Sequence, residues 1–199
     1  FAPLEWRLLS DHLRAKGFQD NEIEKAGLTK SPEGEKRPYD RFRGRIMFPI
    51  FDGSGRVVAF SGRVFGHQTN QDGTEVAKYI NSPETPLYDK SSILFGYDRA
   101  KMAIRKQNFA ILVEGQMDLI MAHQAGTENT VAVSGTALTE RHLGLLKRLT
   151  ENLVFAFDAD EAGLNATARA FQIALALGAQ TFHGLSTSGP QDDAPKKRK

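Results

Sequence analysis

The stretch Phe109-Ala-Ile-Leu-Val-Glu-Gly115 is a short apolar run that ends in a carboxylate, and Leu153-Val-Phe-Ala-Phe-Asp-Ala-Asp160 repeats that pattern. A third apolar run, Asn129-Thr-Val-Ala-Val133, lies between them, and helical patterns follow the three runs at Met117–Ala125, Thr139–Leu149 and Ala162–Leu177. Apolar strands that alternate with helices predict a parallel sheet covered on both faces. Residues 109–185 are therefore predicted to form a doubly wound α/β domain, with ligands at the carboxyl ends of its strands.

The residues before this domain follow a different pattern. Helices are predicted over Trp6–Gly17 and from Asp20 to about Gly27. Arg45–Phe51 and Arg56–Phe60 flank the turn sequence Asp-Gly-Ser-Gly, which predicts a β-hairpin, and Gly62 is expected to form a bulge beyond it. Residues 1–108 are thus predicted to form a basic α+β subdomain, and residues 186–199 a polar, basic tail.

The composition excludes several classes of protein. The 199 residues include no cysteine, which rules out a disulfide scaffold, a zinc ribbon and a cysteine nucleophile. No apolar run approaches the roughly 20 residues of a membrane span, and no secretion leader is present, so we expect a cytoplasmic protein. The first residue is Phe1, from which we expect the chain to be part of a longer one.

Charge is distributed unevenly along the chain. Residues 1–109 carry 18 Lys and Arg against 14 Asp and Glu, whereas residues 110–195 carry 4 against 10. A basic half joined to an acidic half is typical of a site where a polyanion meets a metal ion. The alternative is that both sets of charges only solvate exposed faces.

Carboxylates follow two of the predicted strands. Glu114 ends the first strand, and Asp158 and Asp160 follow the third at a spacing that places both on one side of an extended chain. If these strands are neighbours, the three acids lie close together and repel one another unless a divalent cation such as Mg²⁺ lies between them. Taken alone, the Asp-x-Asp pair fits a helix N-cap and a first-turn acid equally well.

Basic residues are concentrated in residues 36–63, which hold seven Lys and Arg against two Asp. Arg41, Arg43 and Arg45 alternate, so an extended chain would place all three on one side, where they could bind phosphate oxygens. The alternative is an edge strand protected by its charges.

Two sets of motifs resemble known families. Glu114-Gly-Gln-Met-Asp118, Val133–Thr139 and Phe157–Gly163 resemble the three motifs of the Toprim metal-binding domain. In the first half, the amino-terminal subdomain of the bacterial DnaG-type primase polymerase core is similar to three blocks, namely Tyr39–Ile50, Phe60–Arg63 and Lys78–Thr85. The resemblance extends from about residue 1 to residue 178.

The resemblance implies a DNA primase, a nucleotidyltransferase that synthesises RNA primers on single-stranded DNA in the replication primosome. It implies that Glu114, Asp158 and Asp160 hold catalytic Mg²⁺ or Mn²⁺. Asp118 matches a further motif acid, for which a metal role and a hydrogen bond to nearby backbone both stay open. The implied nucleotide and template surface comprises Arg41, Arg43, Arg45, Arg63, Lys78, Asn81 and Lys90. The implied partners are ribonucleoside triphosphates, the DNA template and a replicative helicase that binds through a domain missing from this chain, which we expect to be a monomer.

Several positions depart from the family pattern. Gln116 stands where an aromatic residue is usual, Ala159 where glycine is usual, and Glu161 where arginine is usual. Asp192 and Asp193 lie, at altered spacing, where the family has an Asp-Pro-Asp element of a second metal site. The helical, zinc and helicase-binding domains are expected to be missing. These departures leave two alternatives, a Toprim module that binds metal and nucleic acid without activity, and a Toprim nuclease.

Overall fold

The computed structural model describes residues 1–31, 37–66, 69 and 73–183. Three predictions lie outside the described residues: the contribution of Lys36 to the basic stretch, the tail at residues 186–199, and the place of Asp192 and Asp193 in a second metal site.

The chain begins with two helices, α1 (Leu8–Ala15) and α2 (Asp20–Lys25), as predicted. Two short strands follow, β1 (Thr29–Lys30) and β2 (Tyr39–Asp40), which pair antiparallel. Asp40 is buried, and its carboxylate accepts hydrogen bonds from the backbone N–H groups of Leu9 (2.7 Å) and Ser10 (3.0 Å). Because these N–H groups lack partners within the helix, Asp40 caps α1 and holds it against β2.

The predicted hairpin is confirmed. Strand β3 (Arg45–Phe51) pairs antiparallel with β4 (Val57–Val64), and β5 (Tyr79–Asn81) completes a three-stranded sheet. The bulge expected at Gly62 is wrong, because Gly62 pairs in regular register with Met47 and the register shifts only at the hairpin end. A Cβ at position 62 would lie 2.9 Å from side-chain atoms of both Arg45 and Phe42, so close packing requires this glycine.

The second half forms the predicted doubly wound parallel sheet. A short 3₁₀ turn at Lys90–Ser92 precedes helix α3 (Tyr97–Gln107), which leads into the sheet. The elements after α3 are β6 (Ala110–Val113), α4 (Gln116–Gln124), β7 (Thr130–Ala132), α5 (Glu140–Lys147), β8 (Asn152–Phe155), α6 (Glu161–Ala176) and β9 (Gln180–His183). The strands are parallel in the order β7-β6-β8-β9, and β9 was not expected from the sequence.

One hydrophobic core fills the space between this sheet and its helices. It includes fully buried residues of β6, β7 and β8, among them Leu112, Val131 and Phe155. It also includes Leu94, Ala100 and Ile104, which precede residue 108. Phe95 extends the sheet by one residue, since its N–H and carbonyl both bond to Ala132 of β7, at 2.9 and 3.0 Å.

The longest described helix is α6, with 16 residues. Across the part of the chain that the structure describes, the length and apolar character needed to cross a membrane are not found together in any helix.

Candidate metal and nucleic-acid site

The carboxylates that follow β6 and β8 lie next to each other. The two strands pair in parallel, with Leu112 opposite Phe155, so their carboxyl ends lie at the same edge of the sheet. Glu114 follows β6, and its Oε1 accepts a hydrogen bond from the backbone N–H of Asp158 at 3.2 Å. The sequence left open whether the first and third strands are neighbours, and the structure shows that they are.

Glu114 has a carboxyl whose pKa is shifted by its surroundings. Its side chain is half-buried, and burial raises the pKa of the Glu114 carboxyl, to which the charges on Asp158, Asp160 and Asp118 add. The N–H of Asp158 acts in the opposite direction on this pKa. The edge of the sheet therefore carries an excess of negative charge that a cation would neutralise.

Two of the acids also cap helices. Asp160 is the N-cap of α6, and its Oδ1 accepts from the N–H of Gly163 at 2.8 Å. Asp118 accepts from the N–H of Gly115 at 3.1 Å, in the first turn of α4. Strand β8 ends at Phe155, so Asp158 and Asp160 do not lie on an extended strand as expected. The sequence left two roles open for Asp118, a metal ligand and a hydrogen bond to nearby backbone. The structure shows the hydrogen bond.

Gly163 allows α6 to begin against the acidic edge. A Cβ at this position would lie 2.1 Å from the carbonyl oxygen of Asp158 and 3.0 Å from Oε1 of Glu114. Since real Cβ atoms do not come this close to backbone, any side chain at position 163 would displace the helix or the two acids. The glycine of the third motif is therefore required by packing.

The basic and acidic halves meet in a cleft of about 670 Å³. The predicted site residues that line it are Arg63, Lys78 and Asn81 from the first half and Glu114, Asp118 and Asp158 from the second. Asp160, Arg41, Arg43, Arg45 and Lys90 do not line this cleft. Lys90 lies in the 3₁₀ turn, where its carbonyl oxygen is 2.8 Å from Nε2 of His142.

The three alternating arginines do not share one side, contrary to the expectation from spacing. Gly44 has φ +60°, a left-handed conformation that breaks the extended chain between Arg43 and Arg45. Arg45 is 4% exposed and donates to the carbonyl of Gly62 at 3.0 Å. Burial lowers the pKa of the Arg45 guanidinium, and the charge on Arg43 lowers it further. Arg45 is therefore part of the sheet's internal structure.

Arg41 and Arg43 face different partners. Arg41 Nε donates to the carbonyl of Asn81 at 3.1 Å, and burial lowers the pKa of its guanidinium. Arg43 lies 4.0 Å from the ring centroid of Trp6 and donates to the carbonyl of Asp40 at 2.7 Å. Arg41 thus adjoins the cleft through Asn81, whereas Arg43 is stacked against the amino-terminal segment.

Sequence reasoning missed several residues of the cleft, among them Tyr79, Gln116 and Ser134. Tyr79 lines the cleft with Arg63, whose guanidinium lies 5.6 Å from the Tyr79 ring centroid. Gln116 and Ser134 also line the cleft, and Ser134 has φ +56°. Both lie within the first two of the motifs that resemble Toprim, and this position in the motifs is the signal that could have identified them.

The residues at the acidic edge fit a hard divalent cation. Within residues 1–31, 37–66, 69 and 73–183, no group of three or more His, Asp or Glu is placed to hold a metal ion. Glu114 and Asp158 nevertheless form a pair of oxygen donors in one cleft, and burial, together with the charges on the neighbouring acids, raises the pKa of Glu114. Mg²⁺ keeps several waters and is commonly bound by one or two carboxylates together with substrate phosphates. The donor set is of that kind.

Two family descriptions match this chain. "DNA primase catalytic core, N-terminal domain" matches residues 1–101, and "Toprim-like" matches residues 111–193. The DNA primase of Mycolicibacterium smegmatis is 41% identical over 197 residues, which cover 95% of this chain and 30% of that relative. The chain therefore spans under a third of that relative's length.

Solved structures of primases share the fold. The RNA polymerase domain of Mycobacterium tuberculosis primase DnaG superposes with a TM-score of 0.82 at 40% identity, covering 96% of this chain and 62% of that one. A DnaG primase catalytic domain bound to single-stranded DNA superposes with a TM-score of 0.77 at 38% identity, covering 92% and 56%. With both halves matched in sequence and in fold, the chain belongs to the bacterial DnaG-type primase family.

Proposed function

We propose that this chain is part of the catalytic core of a DNA primase, in which it supports synthesis of RNA primers on single-stranded DNA for replication. The observation that carries the proposal is the cleft in which Arg63 and Lys78 line one side and Glu114 and Asp158 the other. A site that joins nucleotides must hold the phosphates and a divalent cation at one place, and this cleft brings both kinds of residue together.

Glu114 and Asp158 are the residues that would hold Mg²⁺ or Mn²⁺, with Asp160 beside them at the start of α6. Bound there, the cation would supply Lewis-acid activation of a ribose 3′-hydroxyl and neutralise charge as pyrophosphate leaves. The N–H of Asp158 holds the Glu114 carboxylate, and the N–H of Gly163 at the start of α6 holds the Asp160 carboxylate, before any ligand arrives. Asp118 is a further candidate ligand that must first give up its hydrogen bond to Gly115.

The basic side of the cleft would bind phosphates. Arg63 and Lys78 provide the cations, and Asn81, which also lines the cleft, donates to the carbonyl of Ser134. Arg41 supports Asn81 through a hydrogen bond to its carbonyl, and Arg43 would extend the basic surface outside the cleft. Arg45 is buried within the sheet, and neither Arg45 nor Lys90 lines the cleft, so the cleft does not support the same role for them.

The proposed partners derive from this activity. A relative's catalytic domain has been solved with single-stranded DNA, which supports a single-stranded template for this chain. Ribonucleoside triphosphates are the proposed substrates, and a replicative helicase would bind through a domain outside this chain. We propose that the activity is cytoplasmic, as part of replication, and that the chain acts as a monomer.

A single incubation tests the proposal. The chain is mixed with single-stranded DNA, Mg²⁺ or Mn²⁺ and labelled ribonucleoside triphosphates, and the products are separated by size. New short RNA that disappears in Glu114→Gln but persists in Glu151→Gln, an exposed acid at the opposite end of β8, is the expected result. Shortened DNA would instead indicate a nuclease. DNA binding without either product would indicate a module that lacks activity by itself.

A further inference from the structure

Ser134 is a junction between the two sides of the cleft. Its N–H donates to the carbonyl of Glu114 at 2.9 Å, its carbonyl accepts from Nδ2 of Asn81 at 3.2 Å, and its hydroxyl accepts from the side-chain amide of Gln116. It is 8% exposed and has φ +56°, a conformation that residues with a side chain rarely adopt. Such a conformation persists only where the surrounding contacts determine it.

Gln116 provides one of those contacts and links it to the other half of the protein. Its Nε2 donates to the hydroxyl of Ser61 on β4 at 2.8 Å and also to the hydroxyl of Ser134, so both N–H bonds of the amide are used. Gln116 is 5% exposed and Ser61 is fully buried, so water does not compete for these bonds. The Gln116 side chain therefore links the β3-β4-β5 sheet of the first half to the loop after β7.

The junction reaches proposed site residues on both sides. Through the backbone of Ser134 it contacts Glu114, and through Asn81 it continues to Arg41, whose Nε donates to the Asn81 carbonyl at 3.1 Å. A shift of Ser134 would therefore move the acidic edge and the basic side of the cleft relative to each other.

We propose that Gln116 is a positioning residue. Through Ser134, its amide sets the place of the Glu114 carboxylate relative to Asn81 and so aligns the metal side of the cleft with the phosphate side. The proposal rests on the proposed function of the cleft, because the alignment matters only if metal and phosphates meet there. Gln116 itself need touch neither the metal nor the phosphates.

The test uses Gln116→Met, which keeps the length of the side chain and removes the amide. Loss of a group that orients a metal ligand typically lowers metal affinity by a factor of ten or more, so we expect Mn²⁺ to bind about tenfold more weakly in calorimetry. We also expect the backbone amide of Ser134 to exchange hydrogen about tenfold faster, because local opening of the loop becomes easier. Ser61→Ala, which removes only the far partner, should change both quantities in the same direction and by less.

Ile104→Ala is the matched control, because it removes packing from the core without touching a polar group of the junction. After correction for each variant's free energy of unfolding, only Gln116→Met and Ser61→Ala should show the extra exchange at Ser134. Equal exchange at Ser134 in Gln116→Met and Ile104→Ala would overturn the positioning role. If the wild-type chain fails to bind Mn²⁺, the proposed function is contradicted instead, and the exchange measurement still decides whether Gln116 holds the junction.

Discussion

The backbone N–H of Asp158 donates to Oε1 of Glu114 at 3.2 Å, so the main chain at one proposed metal ligand holds the side chain of the other. This bond joins the ends of two strands that are 44 residues apart in the sequence. The carboxylate of Glu114 is thereby directed into the cleft without a cation, although burial and the neighbouring acids raise its pKa. The arrangement favours the bound state at the expense of repulsion in the free protein.

The first prediction concerns that repulsion. Glu114→Gln removes one of the clustered charges, so Mn²⁺ affinity should fall by at least about tenfold, equivalent to about 1.4 kcal/mol. The free energy of unfolding in the absence of metal should stay the same or rise, because less charge is buried. Calorimetry measures the affinity and urea denaturation the stability, with Glu151→Gln as the exposed control. Unchanged Mn²⁺ affinity in Glu114→Gln would contradict the site.

The second prediction uses two glycines. Gly163→Ala places a methyl group 2.1 Å from the Asp158 carbonyl oxygen, so α6 must shift and the free energy of unfolding should fall by about 2 kcal/mol or more. In Gly144→Ala the new methyl group meets nothing within 4 Å, inside α5, and should stabilise the protein by about 0.5 to 1 kcal/mol. Urea denaturation of both variants tests the contrast, and a loss of the same size at both positions would contradict it.

The third prediction concerns binding of single-stranded DNA. For single strands, log K falls with log salt by about 0.7 for each phosphate neutralised, so Arg63→Gln with Lys78→Gln should make the slope shallower by about one unit. Arg105→Gln with Lys106→Gln removes the same charge from exposed positions at the end of α3 and should leave the slope unchanged. Fluorescence titrations at several salt concentrations measure the slope for both double variants. Equal changes in the two slopes would show that only the net charge of the protein matters, and would contradict a specific role of the cleft.

The fourth prediction separates Arg45 from the DNA-binding residues. Arg45→Met removes a buried charged donor from the carbonyl of Gly62, so the free energy of unfolding should fall by about 1.5 to 3 kcal/mol. Arg56→Met removes only an exposed ion pair with Asp52 and should lower it by at most about 1 kcal/mol. DNA titrations of folded Arg45→Met should show the wild-type salt slope. A shallower slope would indicate that Arg45 binds DNA phosphates and would contradict this prediction.

The fifth prediction is a pH dependence of stability. His142 is fully buried, with Nε2 2.8 Å from the Lys90 carbonyl and Nδ1 accepting from the N–H of Thr139 at 3.2 Å. Burial lowers the pKa of His142 below 6.5, while the Lys90 carbonyl and the charge of Asp89 act the other way. The unfolded chain therefore binds this proton first, and the free energy of unfolding should fall as the pH drops below about 6.5.

Urea denaturation between pH 5 and 7.5 measures this dependence. His142→Gln should flatten the curve in that range, whereas a change at the exposed His12 should leave it as in the wild type. A wild-type stability that does not change on acidification would contradict the neutral, buried state of His142.

The sequence predicted the elements whose pattern is local. Continuous apolar runs identified β6 and β8, and the alternation of runs with helical segments predicted the parallel sheet. The two-residue strands β1 and β2 were not predicted because they are too short to show a period. Helix α3 and strand β9 were also not predicted, although α3 contributes Ala100 and Ile104 to the main core.

Within the site, the sequence predicted the features that depend on strand order and missed those that depend on distant contacts. Glu114 and Asp158 were expected to be close if their strands are neighbours, because the carboxyl ends of neighbouring parallel strands meet, and the structure shows that β6 and β8 are neighbours. The spacing of Arg41, Arg43 and Arg45 wrongly predicted that they share one side, because the left-handed backbone of Gly44 breaks the alternation. Gln116 bonds to Ser61, 55 residues away, and spacing within a motif carries no information about such a partner.

The pairing of Phe95 with Ala132 determines where the chain can be divided. Strand β7 lies at the edge of the parallel sheet, and Phe95, which precedes α3, occupies part of its free side. An uncovered strand edge is a template for pairing with another molecule. A fragment that starts at residue 109 would lose this cover together with α3, and it would tend to aggregate through β7. A fragment that starts before Leu94 would keep Phe95 paired with the edge of β7 and would not aggregate through that strand.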